Sequence, residues 1–372
     1  MQLFPRCQEL NSFGICLHKR IFDDKTDMEN VNPTALPYHN TTESLEGPLK
    51  ATLSPHDQYI VDVLKVIYDN MDHLREIIFT FGVPGNMLLF LVMIQRKNRT
   101  SSTCIFMAVL AIVDTCTLLG LLINSKKLIS AGLIEKVNVC KPIAFINNAF
   151  SSASCWIIVA MTTDRLIAVT WPLKSGTLCT AGRAKKTVLA VCILCLTINS
   201  HFIFTQSYVC NPNTNRCTCT QHAFGSEAAV TVIRWCDFAV NSVIPISSLC
   251  VLNILIVRAF SKSQIQQKGL HTSTGDTTKI NDKEGAKSKQ LTRMLLIVSV
   301  AFIVTVTPHR VGRSLESVFP QTTTVGNAAV RVVRSFNNRL WYVNNAINFY
   351  LYVIGGGRRF RQDLKTLFNC AK

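Results

Sequence analysis

Charge is scarce in this sequence: only 16% of its 372 residues are Asp, Glu, Lys or Arg, against about 25% in an ordinary soluble domain. Also missing are the short signatures of catalysis. There is no Gly-rich phosphate cradle, no His-Glu-x-x-His helix and no Gly-x-Ser-x-Gly elbow, so hydrolytic or redox chemistry has no support and an enzyme is not expected. No Cys-x-x-Cys pair is matched with histidines, which argues against zinc. The residues after Met1 lack a basic start followed by an apolar core, so no cleavable signal peptide is expected and the first apolar span is read as its own signal. Acids are the scarcer sign, 22 against 39 Lys and Arg, for a net charge of +17. The bases are spread between apolar runs and not gathered into one domain, which speaks against nucleic acid as a partner.

What is present in excess is apolar surface, with 48% hydrophobic residues and a mean hydropathy of +0.25. Seven stretches approach the length of about 20 residues that crosses a hydrocarbon core: about 74–94, 103–123, 142–163, 187–206, 228–257, 291–308 and 340–354. Several are apolar on every face, unlike the helices of a soluble bundle. The expected fold is an all-α membrane protein, a seven-transmembrane helix bundle in a lipid bilayer, followed by a short amphipathic C-terminal helix. The domains read as an extracellular, partly disordered tail over 1–73, the bundle over 74–355 with a flexible third cytoplasmic loop at 258–290, and an amphipathic helix and tail over 356–372.

Positive charge sets the orientation. With the N-terminus outside, the inner segments carry 21 of the 39 basic residues, and the first 76 residues hold 7 bases against 12 acids. A multi-pass plasma-membrane protein with an outside N-terminus follows. Asn40-Thr41-Thr42 is then a glycosylation acceptor on the outer side, whereas Asn98-Arg99-Thr100, in the first inner loop, stays bare.

Cys140 sits at the outer start of the third span. Cys210, Cys217 and Cys219 cluster in "YVCNPNTNRCTCT", whose Asn-Pro-Asn-Thr-Asn run reads as a hairpin tip. Cys210 with Cys217 across the strands, and Cys219 with Cys140, is one of three possible pairings.

The polar residues inside the spans are the informative ones. Asp114 lies in "LAIVDTC", and a carboxylate there costs several kcal/mol unless protonated, paired or hydrated. Asn86, Ser154, Asn344 and Asn348 are candidates to join it around a sodium ion; the alternative is a protonated Asp in a hydrogen-bond network. No other metal or cofactor is expected. Pro245 and Pro308 remove backbone hydrogen bonds in the fifth and sixth spans and permit kinks. Asp164-Arg165 ends the third span, with Pro172 seven residues past the arginine. Near the C-terminus Phe360, Leu364, Leu367 and Phe368 recur at helical spacing among Arg358, Arg359, Arg361 and Lys365, a helix for an anionic inner leaflet, and Cys370 is a candidate for palmitoylation.

Taken together and in order, these residues resemble a rhodopsin-like (class A) G-protein-coupled receptor over about residues 74 to 370, most similar to invertebrate-type neuropeptide receptors. The matching elements are Gly85-Asn86; Leu110, Ala111 and Asp114; Cys140 standing 25 residues before Arg165; Asp164-Arg165 with Pro172; Pro245; Phe302 with Pro308; and Asn348 with Tyr352. The chain departs from the pattern at Leu166 for the usual Tyr, Phe349 for Pro, Asn253 for Tyr and Val306 for Trp, and its fourth span lacks a Trp.

The resemblance implies that Asp164 holds Arg165 until an extracellular ligand frees it for a heterotrimeric G protein, with Pro172, Asn348 and Tyr352 in the coupling machinery. Arrestin and a receptor kinase are further implied partners. The acid that often faces the arginine from the sixth span is here Ser288, between Lys287 and Lys289, so the restraint is expected to be weak. Asn147 stands where amine receptors have Asp and Tyr342 where opsins have Lys, which disfavours both ligand classes.

The outer halves of spans six and seven are basic: His309, Arg310, Arg313, Arg331, Arg334 and Arg339. With Asn147, Asn338 and Tyr342, the residues His309, Arg310, Arg313 and Arg334 form the expected ligand site, suited to an acidic side chain, sulfate or free carboxylate. The alternative is that these bases pair internally with Asp237 and Glu316. A short neuropeptide is the expected ligand, a small organic acid or lipid the second reading, and a seven-helix transporter or channel a distant third.

Overall fold

In the computed structural model, residues 53–123, 140–211, 216–221, 227–270, 279–318, 323–355 and 357–369 are described. Eleven α-helices and one hairpin are present among them: α1 Pro55–Met93, α2 Ser102–Ile123, α3 Cys140–Thr170, α4 Pro172–Leu178, α5 Ala181–Asn199, α6 Phe202–Thr205, β1 Gln206–Asn211, β2 Arg216–Gln221, α7 Glu227–Phe238, α8 Ile244–Leu270, α9 Lys279–Val318, α10 Thr324–Gly355 and α11 Gly357–Asn369. A π-helical turn, Ala239–Val243, joins α7 to α8 into one rod.

By length and composition, six described helices can cross a membrane: α1, α2, α3, α5, the α7 to α8 rod and α9. The seventh rod of the bundle is α10, whose arginines and asparagines dilute its apolar character. Around the ring, α1 packs on α2 and α10, α9 on α10, and α8 on α9, while α3 runs through the middle against α2, α5, α8 and α9. The core that results includes Leu89, Leu110, Ile157, Ile158, Phe302 and Tyr352, all fully buried. Close approach of α1 to its neighbours needs Gly82: a Cβ there would stand 2.7 Å from Ala346 Cβ and 2.7 Å from Leu118 Cδ1.

Two boundaries differ from the sequence reading. Helix α1 begins at Pro55 and not near 74, because Ser54 accepts a hydrogen bond from the Asp57 N–H at 3.1 Å, Pro55 takes the first helical position and Asp57 faces the positive helix end. At 39 residues it is roughly 58 Å long, almost twice the hydrocarbon thickness. The stretch 258–290, read as one flexible loop, is largely helix: α8 continues to Leu270 and α9 starts at Lys279. Hydropathy registers depth in lipid, and a polar helix running into water escapes it.

The hairpin is present, with β1 antiparallel to β2 and Cys210 opposite Cys217, and β1 packs on α3. Cys140 is disulfide-bonded. The side chains of Cys210, Cys217 and Cys219 lie outside the described residues, as do Asn40, Cys370 and the side chain of Glu316.

Helix α11 docks on the bundle as well as presenting a polar face. Phe360 is tucked against Phe349 and Tyr352, ring centroids 6.1 and 6.4 Å away, whereas Phe368 stays exposed. Asp363 is buried at the joint, 2.6 Å from Lys97 Nζ, with Asn98 Nδ2 donating to it at 3.2 Å and Gln95 Nε2 donating to its carbonyl at 3.0 Å. Asn98, 5% exposed, also donates to the Val92 carbonyl at 2.9 Å, so the folded chain does not offer this amide for a glycan.

Candidate functional site

Polar side chains that the bundle buries fall into three groups along its length. At mid-bundle Asp114 on α2 is fully buried. Ser154 of α3 donates to its Oδ1 at 2.7 Å and Asn348 of α10 donates to its Oδ2 at 2.7 Å, so one carboxylate ties three helices together. Such a group is costly in an apolar interior unless each lone pair is met.

The other two residues expected beside Asp114 are placed differently. Asn86 Nδ2 donates to the Asn345 carbonyl at 2.9 Å, and its Oδ1 is buried without a partner. Asn344 accepts from Thr305 of α9 at 3.3 Å, because residues four apart on α10 lie one turn apart and this turn meets α9. The Asp114 carboxylate and the Ser154 hydroxyl are hard oxygen donors that fit a monovalent cation chemically. No group of three or more His, Cys, Asp or Glu side chains able to hold a metal occurs among the described residues.

At one end of the bundle Arg165 Nη2 lies 2.5 Å from Asp164 Oδ2, with side chains 11% and 12% exposed. Ser102, the first residue of α2, donates to the same Oδ2 at 2.9 Å and accepts from Arg165 Nη2 at 3.2 Å. Sequence reading missed Ser102, since a serine at a helix start carries no signal of a partner 62 positions away. Arg165 Nε is buried without a partner.

Pro172 opens α4, and the loop beyond it returns to the pair: the Cys179 thiol donates to the Asp164 carbonyl at 3.4 Å. Burial, with the Asp164 carboxylate adding to it, pushes that thiol up to about 11, so it stays protonated and able to donate at neutral pH. Tyr352 is fully buried and its hydroxyl has no partner. Ser288 lies in α9, its side chain outside the described residues. Farther along α9, Ser299 donates to Asn253 of α8 at 2.8 Å, a link at the position where the sequence departs from the usual Tyr.

The third group is cationic and aromatic. His309 stacks on Trp341 with centroids 4.8 Å apart and planes at 4°, and the Arg310 guanidinium stands over the same ring at 5.8 Å. Trp341 was not anticipated; it joins α9 to α10 and fixes both bases. Buried Tyr342 is hydrogen-bonded to Asn147 and lies in the field of the Arg339, Arg75 and Arg313 charges.

Asn147 Oδ1 is packed so closely under α2 that a Cβ on Gly120 would stand 2.7 Å from it. Arg339 donates to the Met71 and Ser335 carbonyls, each at 3.3 Å. Arg334 and Asn338 are half-buried farther toward the start of α10. Of the proposed internal acids, Asp237 bonds to Asn241 at 2.7 Å and to no arginine among the described residues.

A helix bundle with an Asp-Arg pair at one end, a buried carboxylate in the middle and a hairpin packed on its central helix is consistent with the matches to known proteins. Residues 85–352 match the family of 7 transmembrane receptors (rhodopsin family). The growth hormone secretagogue receptor type 1 of Mus musculus is 25% identical over 346 residues, 88% of this chain and 89% of that protein. The thyrotropin-releasing hormone receptor of Gallus gallus is 25% identical over 317 residues, 78% and 76% of the two chains, and the galanin receptor 2a of Danio rerio 25% over 303 residues, 79% and 76%. The chain belongs to the rhodopsin family of seven-transmembrane receptors, and is a multi-pass membrane receptor and not an enzyme.

Proposed function

We propose that this receptor binds a short extracellular peptide between α3, α9 and α10 and passes the signal to a heterotrimeric G protein through Arg165. The observation that carries the ligand reading is the cluster of His309, Arg310 and Trp341, with Arg313 and Arg339 around Tyr342. Arginine forks and a fixed indole suit an acidic or carboxylate-bearing ligand. The three relatives named above are receptors for a secretagogue, a releasing hormone and galanin, which agrees with a peptide. A small organic acid would use the same bases and is the second reading.

In the mechanism, ligand contact with His309 and Arg310 biases α9 about Pro308, whose missing N–H leaves the helix free to bend. Movement of α9 strains the Thr305 to Asn344 and Ser299 to Asn253 bonds. Once α9 swings away, Arg165 leaves Asp164 and Ser102 for the G protein. The protein's own polar links thus hold the resting state, and ligand binding favours the other.

The N-terminus is placed outside the plasma membrane with glycan on Asn40, Cys140 is assigned to Cys219, Cys370 to a palmitoyl chain, and arrestin and a receptor kinase to the active form. Sodium would be held by the Asp114 carboxylate with the Ser154 hydroxyl, supplying a positive charge beside that carboxylate. A pooled peptide library screened on cells expressing the receptor, with G-protein dissociation as readout, tests the function. Selective activation by acidic peptides, lost in Arg310→Ala, supports it; no activation by any pool removes the peptide reading.

A further inference from the structure

The π turn at Ala239–Val243 builds a second polar cluster, on a different rod from the arginines. Pro245 has no N–H for the carbonyl of Asn241, and the ladder slips by one residue, so that the Ile244 N–H reaches the Ala239 carbonyl. The extra residue turns Asn241 and Ser242 inward, where both are buried. Ser152 of α3 donates to Asn241 Oδ1, and Asn241 Nδ2 donates to Asp237 Oδ1 at 2.7 Å. Ser152 also lies 3.5 Å from Cys195 Sγ on α5, so the chain of contacts is anchored at its far end.

Asp237 is thereby held in one orientation by a relay that spends no positive charge on it. No cation pairs with this half-buried carboxylate among the described residues, although the next two rods carry many bases. Ser242, 1% exposed, has a hydroxyl with no partner, and His309, 6% exposed, has an unpartnered Nδ1. A pre-oriented carboxylate with no counter-charge among the described residues is suited to a cation that arrives from elsewhere.

We infer that Asp237 receives a cationic group of the ligand, an ammonium or guanidinium, so that the ligand is two-ended, with its acidic group at His309 and Arg310 and its basic group at Asp237. This rests on the ligand site proposed above. Opposite charges at two ends of one site fix the direction in which a peptide lies and reject ligands of a single sign.

The test uses the full-length receptor on cells and two hexapeptide pools with free C-terminal carboxylates, one containing Lys and Arg and one with Gln in their place. Wild type is expected to respond to the basic pool with a potency at least about tenfold higher, a step of about 1.4 kcal/mol. Asp237→Asn, which keeps the acceptor for Asn241, is expected to lose that preference at equal surface expression, and Asp237→Glu to retain it. An unchanged preference in Asp237→Asn overturns the inference while leaving the peptide reading intact. Labelling Asp237→Cys from outside with an impermeant methanethiosulfonate separates the two failures. If no pool activates wild type, the peptide reading falls alone, labelling above the wild-type background keeps Asp237 as a ligand-accessible acid, and absence of labelling overturns the inference.

Discussion

Ser102 and Arg165 share one oxygen of Asp164: the hydroxyl donates to Oδ2 at 2.9 Å and the guanidinium lies 2.5 Å from it. A helix start on α2 is therefore part of the restraint on the arginine. Ser102→Ala removes both the hydrogen bond donated to Asp164 Oδ2 and the one accepted from Arg165 Nη2, which shifts the resting equilibrium by about 1 kcal/mol and raises ligand-free signalling roughly fivefold. Basal G-protein dissociation normalised to surface receptor checks this.

Asp164→Asn weakens the pair but keeps an acceptor for Ser102, so basal signalling is expected to rise only about two- to fivefold. Loss of surface expression instead would make the pair a structural element, since a buried charge stripped of its partner costs about 3–5 kcal/mol.

The bond from Ser299 to Asn253 holds α9 to α8 at the position where the sequence departs from the pattern it resembles. Ser299→Ala is expected to raise basal signalling by up to about tenfold, the scale of one buried hydrogen bond. A Ser299→Ala receptor as quiet as wild type removes this bond from the mechanism.

Asp363 couples α11 to the loop before α2 through Lys97 and Asn98. Asp363→Ala and Asn98→Ala should each lower the thermal midpoint of purified receptor, with the double variant costing less than their sum by about 0.5–3 kcal/mol. Additive losses would show that the two side chains act separately.

At mid-bundle, Asp114→Asn keeps acceptor and shape but loses the charge that would hold sodium. Replacing external sodium with N-methylglucamine should change agonist potency in wild type and leave Asp114→Asn unaffected. An identical response of the two receptors rejects the ion.

Asp114 and Arg165 were legible in the sequence because a charge inside or at the end of an apolar run is rare enough to demand a reason. Ser102, Trp341 and Asn241 were not, because serine, tryptophan and asparagine are ordinary in such helices and gain meaning only from partners 62, 32 and 89 positions away. Asn344 shows the complementary limit. Its spacing from Asn348 places both on α10, yet which neighbour each meets depends on where α9 and α2 approach that helix. The start of α1 at Pro55 and the polar extensions of α8 to Leu270 and of α9 from Lys279 escaped for a different reason, since apolar windows report only the lipid-facing stretch.

The account turns on Arg165 as the group that the G protein receives. The direct measurement is G-protein dissociation in Arg165→Ala, made both with an activating peptide and, without any ligand, in a Ser102→Ala background. Signalling is predicted to vanish in both settings while surface expression and peptide binding persist; signalling equal to that of the parent receptors would contradict the account.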